Sequence, residues 1–190
     1  HEALPDLVKT GGSLSRVSSS LTVANGQLRL PSAGMNPIDA DQLSAQVSVG
    51  LNGPDDMDVR VQDLTLANAD GLVTARGSWR LDAASADRAG VLDVQGTIAR
   101  FHLFRLFYYM PNTVDADARQ WMARAFKFGR VPRASFQIKG AVDDFPYGGA
   151  GQTGTFSVNG NVQDVTIDYA NEPGDEGLPW PVLTDLNGTL

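Results

Sequence analysis

The sequence predicts a mainly β protein: a long curved antiparallel sheet, trough-like or groove-like, with a partly sandwich-like closure as the alternative, and one short α-helix at about 115–128. Three observations carry this prediction. Apolar and polar residues alternate without a break through Leu43, Ala45, Val47, Val49 and Leu51, with Ser44, Gln46 and Ser48 between them, as a half-buried strand requires. Comparable runs recur along most of the 190 residues, separated by turn-forming Gly, Asn, Asp and Pro. One segment, inside Tyr108 to Pro146, changes from a period of two to a helical period.

In chain order, strands are expected at about 13–24 and 26–31, then through the alternating run that ends at Leu51. The turn Asn52-Gly53-Pro54-Asp55 follows. Met57, Val59 and Val61 open the next strand; the register slips at Gln62-Asp63 and resumes with Leu64 and Leu66, the pattern of a β-bulge. Asn68 to Gly71 turns the chain into Val73, Ala75, Gly77, Trp79 and Leu81, and further strands are expected at about 90–99, 133–142, 154–170 and 182–190. Val61-Gln62-Asp63-Leu64-Thr65-Leu66 returns as Val162-Gln163-Asp164-Val165-Thr166-Ile167, slip included, which fits an architecture that repeats one strand-turn unit.

The helix follows Pro111. Ala118, Trp121, Met122, Ala125 and Phe128 fall on one face, with Trp121, Met122, Ala125 and Phe128 as its anchors, and Asp117, Gln120, Arg124 and Lys127 fall on the other. Asp115 can cap its start, and Gly129 can end it in the left-handed conformation. The organisation expected is a single unit, 1–190, with strands over 1–99, a helix-containing segment at 100–132 and strands over 133–190. A start at His1 and a strand-like run from Leu183 to Leu190 give the further expectation that it is a stretch of a longer repetitive β-sheet protein.

Composition narrows the function classes. The formal net charge is −7, which speaks against nucleic acid as a partner, although Arg100 to Arg133 gathers seven basic residues against Asp115 and Asp117. That basic segment could meet anionic headgroups, but a solvated helix face is the plainer reading. Cysteine is absent, so no disulfide scaffold forms. No apolar run approaches the roughly 20 residues that span a bilayer.

No motif specifies catalysis. His102, within Phe101-His102-Leu103-Phe104, has no second histidine to help it bind a metal and reads as a packing or surface residue. Asn52, Asp55, Asp56 and Asp58 supply oxygens but lack the closing glutamate of a calcium loop, and they suit a hairpin turn. Asp143 and Asp144 have no placed partner acid for glycoside hydrolysis. Gly148 to Gly154 leads into a strand and not into the helix that a phosphate cradle needs. The expectation is therefore no enzyme, no cofactor and no metal.

Geometry sharpens the question. A helix is about 10–12 Å across and strands sit about 4.8 Å apart, so one helix shields two or three strands and leaves most of the apolar face bare. That face must close on itself, meet a partner, or hold an apolar ligand.

The order of segments resembles a known family. Tyr109-Met110-Pro111, Trp121-Met122 and Ala125, Gly129-Arg130-Val131, a strand ending at Gly140, Asp144-Phe145-Pro146-Tyr147, Val165 to Tyr169, Trp180-Pro181-Val182-Leu183 and Asp185-Leu186-Asn187-Gly188-Thr189-Leu190 together resemble the YhdP branch of the AsmA-like envelope proteins, related to AsmA and TamB. The likeness is best over 97–190, with Met110 and Met122 where leucine is usual and Tyr147 where phenylalanine is. It implies a periplasmic protein, anchored in the inner membrane by parts outside this stretch, whose strands form a trough that carries phospholipid between the membranes and supports outer-membrane integrity. It also implies that neighbouring segments of the same long chain are partners, and that the helix caps a local part of the trough.

A phospholipid or other acyl-chain ligand is also what an apolar trough can hold on physical grounds, since each buried methylene contributes about 0.8 kcal/mol. The expected lining residues are Val47, Val49, Val59, Val61, Val73, Trp79, Val94, Ile98, Phe136, Ile138, Phe156, Val158, Val165 and Ile167. A closed β-sandwich module that binds envelope carbohydrate or protein is the alternative.

Overall fold

A computed structural model describes residues 6–10, 13–29, 35–53, 56–81, 89–112, 114–149, 151–170 and 180–190. The strands are β1 (Asp6–Thr10), β2 (Ser13–Leu28), β3 (Ile38–Gly53), β4 (Asp56–Asn68), β5 (Gly71–Leu81), β6 (Val91–His102), β7 (Phe126–Ala141), β8 (Gly154–Ile167) and β9 (Leu183–Thr189). They form one nine-stranded sheet in the order of the sequence, each strand antiparallel to its neighbours. Among the described residues no second sheet packs against it, so the sandwich-like alternative is not what forms. The predicted strands at 13–24 and 26–31 are one strand that ends at Leu28; Pro54, Asp55 and residues 30–31 lie outside the described residues.

The sheet is bent by residues with left-handed backbone. Asn25, Asp63, Arg100, Asp164 and Asp185, on β2, β4, β6, β8 and β9, have φ between 51° and 56°. Asn and Asp tolerate this region because their short polar side chains bond locally. Asp63 and Asp164 sit in the two copies of the repeated hexamer, and both interrupt the pairing register there, between Val61 and Leu64 and between Val162 and Val165. The predicted slip is a bulge in both copies, and bulges bend a strand and tighten its twist. Opposite Asn25 the burial pattern changes phase: Ala40 and Leu43 are buried, whereas Asp41 and Gln42 between them are exposed.

Between β6 and β7 the chain leaves the sheet. A 3-10 stretch, Leu103–Tyr109, precedes the helix α1, Ala116–Ala125. Asp115 caps α1 as expected, its carboxylate accepting from the N–H groups of Asp117 and Ala118. The helix is shorter than predicted. It stops at Ala125, and Phe126 to Phe128 already belong to β7. Phe128 is therefore a strand residue, 50% exposed, and not a helix anchor. Gly129 does not end the helix; it lies in β7 at φ 140°, where an added Cβ would meet Leu103 Cδ1 at 3.0 Å and Val165 Cγ2 at 3.1 Å. Ala125 is the helix residue that is fully buried, while Trp121 is 38% exposed and donates from Nε1 to the Tyr169 carbonyl at 2.8 Å.

The buried core is small and lies toward one end of the strands. One cluster gathers Ile38, Ala40, Leu43 and Leu66, with Val23, Leu28 and Tyr109 packed on it; the second gathers Leu103, Val131, Ala134 and Val165, with Phe101, Phe126, Val158 and Val162.

Candidate functional site

Residues directly opposite one another in an antiparallel ladder share a face, so the register alone sorts the side chains. One row runs Val17, Val49, Val59, Trp79 and Leu92 across β2 to β6. The next runs Val47, Val61, Gly77, Val94, Ile138 and Phe156 across β3 to β8. A third runs Leu21 and Ala45 and, past the register shift between β3 and β4, Leu64, Ala75, Gly96, Phe136 and Val158; a fourth runs Val23, Leu43, Leu66, Val73, Ile98, Ala134 and Gly160. No charged residue stands in these rows. Leu21, Leu64 and Leu92 share the face although they were not among the expected lining residues; their place in the alternation was the available signal.

Among the described residues, segments cover the two ends of this apolar face and none covers its middle. At one end Leu103–Tyr109 lies over the core clusters and is held there by a polar lock on the β4–β5 turn. Asn68 shapes the turn, its Oδ1 accepting from the N–H groups of Asp70 and Gly71. Arg105 Nε donates to the Asp70 carboxylate at 3.0 and 3.1 Å, the Tyr109 hydroxyl donates to Asp70 Oδ2 at 2.7 Å, and Asn68 Nδ2 donates to the Tyr109 hydroxyl at 3.0 Å. Burial and the bond to Asp70 push Tyr109 up to about 12. Tyr108 adds a bond to the Pro37 carbonyl at 2.7 Å and lies under the Arg105 guanidinium, 4.7 Å away.

At the other end the segment after β7 folds back across the hairpin, with Phe145 edge-on to Phe156 at 5.2 Å. Between these covers, Val47, Val49, Val59, Val61, Trp79, Val94, Phe136 and Ile138 are half-buried against their neighbours, and Leu21, Leu51 and Phe156 are 45%, 50% and 47% exposed. Val165 lies instead in the covered core, Val158 packs at its edge, and Ile167 pairs with Phe126. Phe136 fills the row across a gap: a Cβ on Gly96 would stand 2.7 Å from its ring.

The opposite face is polar throughout the same span. Thr65, Thr74, Thr97, Ser135 and Asn159 form one row, with Thr74 and Thr97 hydroxyls 2.8 Å apart. Arg16 and Asp58 pair there at 2.9 Å, as do Lys139 and Asp93. A shallow cavity of about 600 Å³ opens on this face over Arg76, Gln95 and Gln137. The residues weighed for catalysis do not converge: His102 stacks on Phe104 at 5.6 Å, Asp58 takes Arg16 and Arg60, and Asp143 accepts from the Ala89 N–H.

The sequence model described as YhdP protein matches residues 6–190. The chain belongs to the YhdP family. The likeness that was clearest over 97–190 thus extends through the first half, and an AsmA-like envelope protein is what the strand pattern and the helix-bearing insertion of a YhdP member belong to. No curated protein and no solved structure matches the chain.

Proposed function

We propose that this YhdP segment binds phospholipid and conducts it between the inner and outer membranes along the uncovered apolar strip, in the periplasm, as part of a protein anchored in the inner membrane, and so supports outer-membrane integrity. The observation that carries the reading is the strip itself: several strands set their large apolar side chains on one uncharged face, and among the described residues no second layer packs on its middle. Proteins seldom leave so continuous an apolar surface without a use for it. Across β2 to β8 the strands step about 4.8 Å each, giving roughly 29 Å of path, enough for an extended acyl chain from one leaflet of a hydrocarbon core about 30 Å thick. Each methylene laid on the strip contributes up to about 0.8 kcal/mol. Headgroup chemistry then stays at the margin, in water, and no catalytic group is needed.

The test is extraction of the purified protein. Phospholipid is expected to copurify and to be lost from a Val47→Ser, Val94→Ser, Ile138→Ser variant that still folds. A lipid-free protein, or equal lipid in both, contradicts the reading.

A further inference from the structure

The β7–β8 end of the apolar face has a floor without side chains. Gly140 and Gly154 pair across the hairpin and continue the row of Val49, Val59, Trp79 and Leu92. Residues 143–147 cross that floor. A Cβ on Gly154 would stand 2.3 Å from Tyr147 Cδ1, and one on Gly140 2.7 Å from Tyr147 Cε1, so the ring fills the volume that two side chains would take. Phe145 completes the cover, 5.7 Å from Tyr147 and 5.2 Å from Phe156 of the strip.

This closed position is set near balance. The Tyr147 hydroxyl is buried, and among the described residues it is the buried side-chain polar atom left without a hydrogen-bond partner; an unsatisfied hydroxyl favours any arrangement that wets it. Burial, and after it the neighbouring Asp144, keeps the hydroxyl protonated by raising it above the usual phenol range. The Tyr147 backbone lies at φ 64°, uncommon for a bulky residue. Gly148 follows with open space around it. Against these stand the packing of two rings and three hydrogen bonds, Ala89 N–H to Asp143 at 3.2 Å, Phe145 N–H to the Val142 carbonyl at 3.3 Å and Tyr147 N–H to the Asp144 carbonyl at 2.7 Å.

We propose that residues 143–147 are a gate over a hidden subsite for an acyl chain. When the gate lifts, the Gly140–Gly154 floor extends the strip beyond Leu92, and the alkyl chain takes the place of the Tyr147 ring. The proposal rests on the reading of the strip as a lipid surface. It assigns opposite effects to two small changes: Tyr147→Phe removes the unsatisfied hydroxyl and shuts the gate, whereas Gly154→Ala drives a methyl into the ring and lifts it.

The experiment incubates the whole protein with vesicles of phosphatidylethanolamine and phosphatidylglycerol that carry a phospholipid with a diazirine at the acyl end, then maps the labelled residues by mass spectrometry. Gly154→Ala is expected to raise labelling at Gly140 severalfold, and Tyr147→Phe to lower it about tenfold, with Val47 and Ile138 labelled alike in all three proteins. Unchanged labelling at Gly140, or a rise in Tyr147→Phe, overturns the gate while leaving the strip intact. No labelling of Val47 and Ile138 in the unaltered protein overturns the strip and the gate with it.

Discussion

The covered end of the apolar face and its bare middle are built from the same residue types in the same alternation, yet only one of them is a core. Leu43, Leu66, Val131 and Val165 are buried because Leu103–Tyr109 lies over or beside them. Val47, Val61 and Ile138, four, five and seven residues from Leu43, Leu66 and Val131 along the same strands, and Val94 on β6 keep part of their surface in solvent. Strand pattern decides which way a side chain points, and a covering element decides whether it is buried. The insertion between β6 and β7 thus covers the sheet at one end and, among the described residues, leaves its middle uncovered.

That contrast can be broken from either side. The largest effect is expected from Leu103→Ala, which opens a cavity between the insertion and Val131, Ala134 and Val165: about 2–4 kcal/mol of stability lost by urea unfolding. Ile138→Ser in the bare middle should cost under about 1 kcal/mol, because half-exposed positions lose little, while removing lipid. Equal stability losses at the two positions would erase the distinction. Next comes the lock. Asp70→Ala leaves the Arg105 guanidinium and the Tyr109 hydroxyl without their shared acceptor and should cost about 1–3 kcal/mol, with hydrogen exchange rising over 103–109 and not over β7–β8. Smaller still, Asp115→Ala removes the α1 cap and should cost about 1 kcal/mol.

The smallest effect is a pH dependence. Tyr109 is held protonated in the fold up to about 12, above its ordinary value near 10. Its contribution is therefore fully present below pH 10 and is lost as the pH rises toward 12, since the unfolded chain ionises first. Tyr109→Phe should flatten that part of the stability profile, and an unchanged slope would show that burial and the bond to Asp70 do not hold the hydroxyl protonated.

Most of the sheet was legible because alternation is local. The slip at Gln62-Asp63 was visible as two polar residues in succession, and its second copy at Gln163-Asp164 followed from the repeated hexamer. The helix end was not, because Phe126 and Phe128 fit two patterns. Phe128 lies three residues after Ala125 on a helical face, yet Phe126, Phe128 and Arg130 also alternate as a strand, and pairing with Ile167 and Thr166 decides for the strand. Gly129 looked like a helix stop, but within β7 its φ of 140° is one that other residues rarely adopt, and an added Cβ would also meet Leu103 and Val165. The lock of Arg105 and Tyr109 on Asp70 joins residues 35 and 39 apart, and such a contact leaves no periodic trace. The cover on Gly140 and Gly154 was hidden for the same reason: Asp144-Phe145-Pro146-Tyr147 stood out as a motif, but nothing in the sequence says which way the segment folds.

The central claim is that the bare middle of one face, and not the other, carries lipid. Photo-crosslinking residues introduced singly at Val47, Ile138, Ser48 and Gln137 in cells test it most directly, because Val47 and Ser48, like Ile138 and Gln137, are neighbours on opposite faces. Phospholipid captured at Val47 and Ile138 but not at Ser48 and Gln137 is the predicted result; equal capture on both faces, or capture on the polar face alone, would contradict it.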